Sequence, residues 1–315
     1  MIRCIVSTRG RPLKLLLVFN PHAAAGRAAD LLEPVQQALG RFADVDTHRT
    51  TGPGDATPWV AQADLSCYDG VLAAGGDGTL FEVLNGLYGN PAGNRPPLGV
   101  IPVGTGNAFA RDLGLAPGDW ERGVELVAAG AKRSFDVGQV ESASGTFHFL
   151  NIVGAGLPVD VMRFTDRLKV LGRSAYTLGT LWKAMQMRCY PLRIELDGRP
   201  LERDCLFVEI ANTRFTGTSF LIAPGAEPDD GLLDVILVSR LPRRRVLQLF
   251  PSIYEGRHVE YDEVETWQAR EVRIVADEPL GLAPDGEIRG EMPVTIRCLH
   301  RDLEVFAPAR DERKD

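Results

Sequence analysis

The stretch Ala74-Gly75-Gly76-Asp77-Gly78-Thr79 closes an apolar run at residues 70–73, and a helix-compatible stretch, residues 80–87, opens directly behind it. Strand, glycine turn and helix in that order make an anion site. With no side chains in the way, the backbone N–H groups of Gly75, Gly76 and Gly78 approach a phosphate chain closely, and the helix N-terminus adds partial positive charge. Asp77 is out of character there, because a carboxylate repels the anion unless a divalent cation stands between them, which points to a Mg²⁺–nucleotide complex. The same residue also suits a tight turn in which it caps the helix. Taken alone, the stretch leaves both readings open.

A second glycine turn, Gly104-Thr105-Gly106-Asn107, follows another buried-strand pattern at residues 98–103 and leads into Ala108-Phe109-Ala110-Arg111-Asp112. In open α/β sheets ligands bind outside the carboxyl ends of the strands, so two such turns at neighbouring strand ends share one crevice. The Walker spacing is absent and no G-x-G-x-x-G follows the first strand, which moves weight away from ordinary P-loop and dinucleotide folds.

The elements that must hold these turns follow from periodicity. Strands are expected at about residues 14–19, 42–48, 70–74 and 98–103, separated by helical patterns at 24–39, 56–65 and 80–87. That is the spacing of crossover units in a parallel sheet. From about residue 134 the pattern changes to β-rich segments at 135–140, 146–153, 192–196, 206–211, 233–238, 271–276 and 294–298, with helices near 158–164 and 174–187. The expected architecture is an N-terminal nucleotide-binding α/β domain, residues 1–134, and a mainly antiparallel, β-rich domain, residues 135–299. A chain of 315 residues suits two domains at about 100–200 residues each. The tail at 310–315 reads as disordered.

The ordered set of motifs resembles the diacylglycerol kinase catalytic domain family, which includes bacterial soluble lipid kinases and is related to sphingosine and ceramide kinases. The matching residues are Asn20-Pro21, Gly26-Arg27, Thr50 before Gly54-Asp55-Ala56, Gly75 to Thr79 with Glu82 and Asn85-Gly86, and Gly104 to Asn107 with Asp112. Further along stand Asn151 with Gly154 and Gly156, Asp230-Gly231-Leu232, and Asp285-Gly286-Glu287. The resemblance implies a Rossmann-like first domain of the phosphofructokinase and NAD kinase type, a β-sandwich second domain, and a final segment, residues 300–310, that returns to the first. It implies ATP-dependent transfer of a γ-phosphoryl group to a lipid hydroxyl between the domains. Asn20, Thr50, Gly75, Gly76, Gly78, Thr79, Glu82, Gly104, Thr105 and Asn107 would bind the nucleotide. Asp77 and Asp112 would hold a catalytic Mg²⁺ through water, Asp285 would accept the hydroxyl proton, and Glu287 would support the metal and water network. A structural Mg²⁺ or Ca²⁺ would sit on Asp230 and the carbonyls of Glu227 and Leu232.

By themselves several of these residues have plainer readings. Asp285-Gly286 is a hairpin-turn dipeptide, Asn20-Pro21 ends a strand, Asp112 pairs or caps near Arg111, and Glu82 is an exposed helix residue. NAD kinases and phosphofructokinases share a Gly-Gly-Asp-Gly turn, which keeps a soluble-substrate kinase as one rival and a catalytically silent lipid- or nucleotide-binding regulator as another. Lipid class is not written in any short motif.

Net charge −7 argues against a nucleic-acid binder, since phosphate contacts need a concentrated basic surface. The basic residues Arg3, Arg9, Arg11 and Lys14 precede no long apolar run, so neither a signal peptide nor a membrane span is expected. Any lipid substrate is then reached from the water side; the resemblance implies a lipid substrate at a membrane surface, met by a cytoplasmic, peripheral monomer or homodimer. Arg243-Arg244-Arg245 reads as the solvated first turn of an amphipathic helix. Cys4, Cys67, Cys189, Cys205 and Cys298 lack metal spacing and read as reduced, mostly buried thiols. His22, His48, His148, His258 and His300 share no spacing for a metal or triad. Trp182, Met185 and Met187 read as core.

Overall fold

The computed structural model describes residues 12–166, 188–217 and 219–309. The expected helix at 174–187 with Trp182, Met185 and Met187, the tail at 310–315, Cys4, Arg3, Arg9 and Arg11 lie outside these residues. The described residues up to Phe135, joined by those from Arg301 onward, form one unit, and Asp136–His300 form the other.

In the first unit β1 (Leu13–Phe19), β2 (Ala43–Arg49), β3 (Gly70–Gly75) and β4 (Leu98–Pro102) pair in the order β2-β1-β3-β4, all parallel. Leu15, Leu16, Leu17, Val18 and Phe19 are fully buried, which is why β1 reads as an unbroken apolar run rather than an alternating one. Parallel neighbours need crossover connections, and α1 (Leu32–Leu39), α2 (Ala56–Gln62) and α3 (Asp77–Gly89) supply them. The residues after every strand therefore leave from one edge of the sheet.

Two local expectations change. The helix expected at 24–39 is regular only over α1; before it, Ala23–Leu31 is a 3₁₀ stretch with Ala24, Ala25 and Gly26 at φ 51, 59 and 85. Left-handed alanines cost about 1–2 kcal/mol each, and strain of this kind is kept where the surroundings over-determine it. Second, α3 begins on Asp77 itself, with Gly76 at the N-cap. The reading in which Asp77 caps this helix is set aside.

α3 buries Leu80, Phe81, Val83, Leu84 and Leu87, each stabilising by about 1.5–3 kcal/mol. Gly86 on its other face meets α2, where a Cβ would come 2.6 Å from Val60. The short α4 (Ala108–Asp112) and α5 (Trp120–Ala129) complete this unit. Periodicity did not announce either one.

The second unit is antiparallel. β5 (Lys132–Ser142), which starts in the first unit, pairs with β6 (Gly145–Phe149); β7 (Ile152–Gly156) leads into α6 (Leu157–Asp166); β8 (Tyr190–Leu196) and β9 (Arg199–Ala211) form a long hairpin. A two-residue pair, β10 (Phe215–Thr216) with β11 (Phe220–Leu221), precedes β12 (Leu233–Ser239) and α7 (Arg243–Ser252). β13 (Val264–Ala269), β14 (Glu271–Ala276), β15 (Leu282–Pro284) and β16 (Val294–Phe306) follow. β9 is central, bonded to β7, β8 and β12. The segment expected at 146–153 is split into β6 and β7 at Leu150-Asn151. β16 outruns its expected end at 298, and its last part belongs to the first unit, where Val305 pairs with Leu98.

The helix expected behind Arg243 is α7, but Arg245 is not a solvated arginine: it bonds Glu263 at 3.0 Å and lies over the Tyr261 ring. Of the four described cysteines only Cys205 is fully buried, which corrects the expectation of mostly buried thiols.

Candidate active site

Because the strands of the first unit are parallel, Asn20, Thr50, the Gly75–Thr79 turn and the Gly104–Asn107 turn all emerge at their carboxyl ends. Main-chain bonds fasten them together: Asn20 N–H donates to Ala74 O, Thr50 N–H to Phe19 O and Gly104 N–H to Gly75 O, each at 2.9 Å. The two glycine turns touch. A Cβ on Gly104 would stand 2.5 Å from Gly76 Cα, and one on Gly75 would meet Thr79 Oγ1 at 2.2 Å. Only glycine permits either approach. Thr79, itself buried, accepts from Asn20 Nδ2 at 2.9 Å, and Asn107, at φ 53, donates from Nδ2 to Gly104 O at 2.8 Å.

Asp77 joins the two turns. Its Oδ1 accepts the N–H of Ala108, the first residue of α4, at 2.7 Å. Burial pushes this carboxyl up to about 6, with the N–H groups of Ala108, Phe109 and Asn107 pulling the other way. A neighbouring cation would remove that penalty, and bare amides beside one carboxylate are a donor set that suits a Mg²⁺–phosphate pair. Asp112 ends α4 four residues after Ala108 and is half-buried. Among the described residues no group of three or more His, Cys, Asp and Glu side chains forms a metal cage.

Glu82 is otherwise engaged than its plain reading as an exposed helix residue. Its Oε1 accepts from Gly54 N–H at 2.7 Å and its Oε2 from Ala56 N–H at 2.9 Å. It therefore holds the start of α2 against α3, next to Thr50. Thr105 is exposed on the second turn.

In the second unit Asp285 and Gly286 lie at φ 42 and 85, and Glu287 N–H donates to Pro284 O at 2.7 Å. The dipeptide is a turn of the kind its composition suggests, yet the Asp285 side chain does more than turn. It is 4% exposed, and its carboxylate accepts from the N–H groups of Leu150, Asn151 and Ile152 at 3.1, 3.1 and 3.0 Å. The first two of those donors lie in the break between β6 and β7 and the third opens β7. Asn151 is held there by Thr213, whose Oγ1 donates to Asn151 Oδ1 at 2.9 Å. Glu287 is exposed beside the turn.

The Asp230 loop belongs to the same unit. Asp230 Oδ1 accepts Leu232 N–H at 2.8 Å, and Asp230 and Glu227 are exposed. Burial, then the charges of Asp136, Glu227 and Asp229, push Asp230 up, and burial takes Asp234 to about 6. Crowded carboxylates of this kind fit a hard cation. Pattern reading missed Asp136, which is fully buried and accepts from Gly231 N–H at 2.6 Å, with His300 Nδ1 at 2.9 Å; it lies far away in sequence, so no spacing reveals it. Reading also missed Glu209, whose one signal is a lone acid in the apolar run 205–211. Burial pushes Glu209 up to about 8.

Comparison with known proteins finds two family models. Residues 14–140 match the diacylglycerol kinase catalytic domain, and residues 151–307 match the YegS C-terminal NAD kinase beta sandwich-like domain. A diacylglycerol kinase of Bacillus subtilis is 33% identical over 301 residues, covering 93% of this chain and 95% of that protein. A diacylglycerol kinase of Mycobacterium tuberculosis is also 33% identical, covering 94% and 95%. The crystal structure of a putative diacylglycerol kinase from Bacillus anthracis superposes with a TM-score of 0.77 at 28% identity, covering 94% of this chain and 97% of that one. A Rossmann-like parallel domain followed by an antiparallel β-sandwich is the fold these similarities share with the chain. No helix among the described residues is long and apolar enough to cross a membrane.

Proposed function

Since the chain belongs to the diacylglycerol kinase family and is a phosphotransferase with an alcohol acceptor, we propose that it transfers the γ-phosphoryl group of ATP to the hydroxyl of a diacylglycerol-like lipid. The observation that carries this reading is Asp77, which stands in the first glycine turn and accepts the N–H of Ala108 directly behind the second. Gly75, Gly76, Gly78 and Gly104 offer the approach to the phosphates, Thr79, Thr105 and Asn107 line the turns, and Asn20 and Thr50 border them at the ends of β1 and β2. Glu82 serves the nucleotide by holding the 54–56 segment in place.

Mg²⁺, held by Asp77 and Asp112 through water, would neutralise charge on the transferring phosphoryl group. The transition state of such transfers is loose, so the acceptor hydroxyl needs orientation before it needs a strong base. Asp285 is fixed by three N–H donors, and in this proposal it accepts the hydroxyl's hydrogen bond and then its proton. Glu287 supports the water around it. The scheme requires Asp77 and Asp285 to serve one reacting centre, with lipid taken from a membrane surface by a peripheral protein. Asp230, with the carbonyls of Glu227 and Leu232, would take a structural Mg²⁺ or Ca²⁺.

The test is transfer of radiolabelled γ-phosphate to a total lipid extract, with NAD and free sugars as soluble acceptors, and identification of the labelled species. A labelled diacylglycerol product is the expected result. Labelled NAD or sugar with unlabelled lipid would overturn the reading in favour of a soluble-substrate kinase.

A further inference from the structure

Glu209 lies in the middle of β9, opposite Gly154 of β7 on one side and Ile236 of β12 on the other. It is 7% exposed, and among the described residues its Oε2 has no hydrogen-bond partner. Its stem is laid across the glycine: a Cβ on Gly154 would come 3.3 Å from Glu209 Cγ and 3.3 Å from Pro158, in the first turn of α6. Proteins keep buried polar groups bonded, and an unanswered carboxyl deep in a sheet is costly unless a ligand answers it.

The register says where that ligand is. Gly154 is paired on its other side with Ala283 of β15, and two residues further along that strand comes Asp285, whose N–H donates to Ile152 O at 2.9 Å. Two strand spacings and two residues separate the Cα atoms of Glu209 and Asp285, on the order of 12 Å. A span of that order matches a glycerol head with its ester linkages. Their surroundings differ in the way that assigns separate tasks. Three N–H groups surround the Asp285 carboxylate, whereas Glu209 Oε2 meets none. Without donors or a cation, burial favours the uncharged carboxyl, which has an O–H to give.

We propose that Glu209 is a binding residue for the acceptor, donating a hydrogen bond from its uncharged carboxyl to an ester carbonyl oxygen of the acylated glycerol whose free hydroxyl lies at Asp285. This rests on the lipid kinase reading above. It makes the ester linkage, and not acyl bulk alone, a determinant of acceptor choice.

The experiment compares a diacylglycerol with its dialkyl-ether analogue, which lacks the carbonyls, in mixed micelles at saturating ATP. Wild type is expected to show a KM about tenfold lower for the ester. Glu209→Gln keeps an N–H donor and retains that preference. Glu209→Met raises the ester KM about tenfold, leaves the ATP KM and kcat close to wild type, and makes ester and ether equal. Wild type indifferent to the ester, or a Glu209→Met protein with unchanged ester KM and an undiminished melting temperature, overturns the inference and leaves Glu209 a core residue. The wild-type comparison decides the matter even if Glu209→Met does not fold. Wild type that phosphorylates neither lipid overturns the kinase reading itself, and this inference with it.

Discussion

Asp77 Oδ1 accepts the backbone N–H of Ala108 at 2.7 Å, across 31 residues of chain. One carboxylate thus fastens the first glycine turn to the helix that follows the second. A residue that merely ended a turn would not need to be acidic, since Asn would accept the same bond.

Asp77→Asn is therefore expected to fold, with a melting temperature within a few degrees of wild type, and to lose roughly hundredfold or more in kcat. Lipid-dependent ATP turnover and thermal melts measured together check it. Wild-type turnover in this variant would remove Asp77 from the mechanism.

The same carboxyl sets a pH dependence. Its pKa in the folded chain, about 6, is raised from an ordinary 3.8, so the native state binds the proton more tightly than the unfolded one. The stability it contributes is full below about pH 4 and is lost as pH rises to about 6. In the proposed mechanism Mg²⁺–ATP competes with that proton. Its thermal stabilisation should grow as pH rises through about 6 in wild type and stay level there in Asp77→Asn.

Gly104→Ala places a methyl 2.5 Å from Gly76 Cα and 2.7 Å from Gly76 N, backbone atoms that cannot swing aside. A loss of about 1–3 kcal/mol in urea unfolding is expected, with a raised KM for ATP and an unchanged KM for lipid.

Asp285→Asn turns one carboxylate oxygen into an NH₂ group facing the N–H donors of Leu150, Asn151 and Ile152. It should lose stability by about 1–3 kcal/mol as well as turnover, unlike Asp77→Asn. Turnover lost without destabilisation would mean that the three N–H bonds do not organise the 150–152 segment.

Glu209 gives a second pH signature, in stability. Raised to about 8 from an ordinary 4.5, it favours the folded state fully below about pH 4.5 and loses that contribution as pH rises to about 8. Wild type should fall relative to Glu209→Gln by at most about 1.4 kcal/mol per pH unit in that window. Parallel urea-unfolding curves at pH 5, 6.5 and 8 (roughly the span of the shift) test it.

How far the chain announced itself depends on the range of the interaction. The parallel strands were legible because burial on both faces demands unbroken apolar runs such as Leu15 to Phe19, and the glycine turns because close backbone approach demands glycine. α4 was not, because five residues carry too little periodicity. The left-handed kink at Ala24 and Ala25 was not either, because alanine ordinarily argues for helix.

Sequence by itself determined the fold class, the two glycine turns and the acidic residues that stand in or near them, since these rest on local periodicity and on which residue types tolerate a given backbone. Tertiary structure alone decided that Asp77 bonds the second turn, that Glu82 spends both oxygens on Gly54 and Ala56, and that Asp285 closes on three N–H groups more than 130 residues earlier. It also decided that Asp136 accepts from Gly231 and that Glu209 is buried beside Gly154. Hydrogen-bond partnership and desolvation are properties of what chain folding brings alongside a residue, and neighbours in space leave no spacing to read.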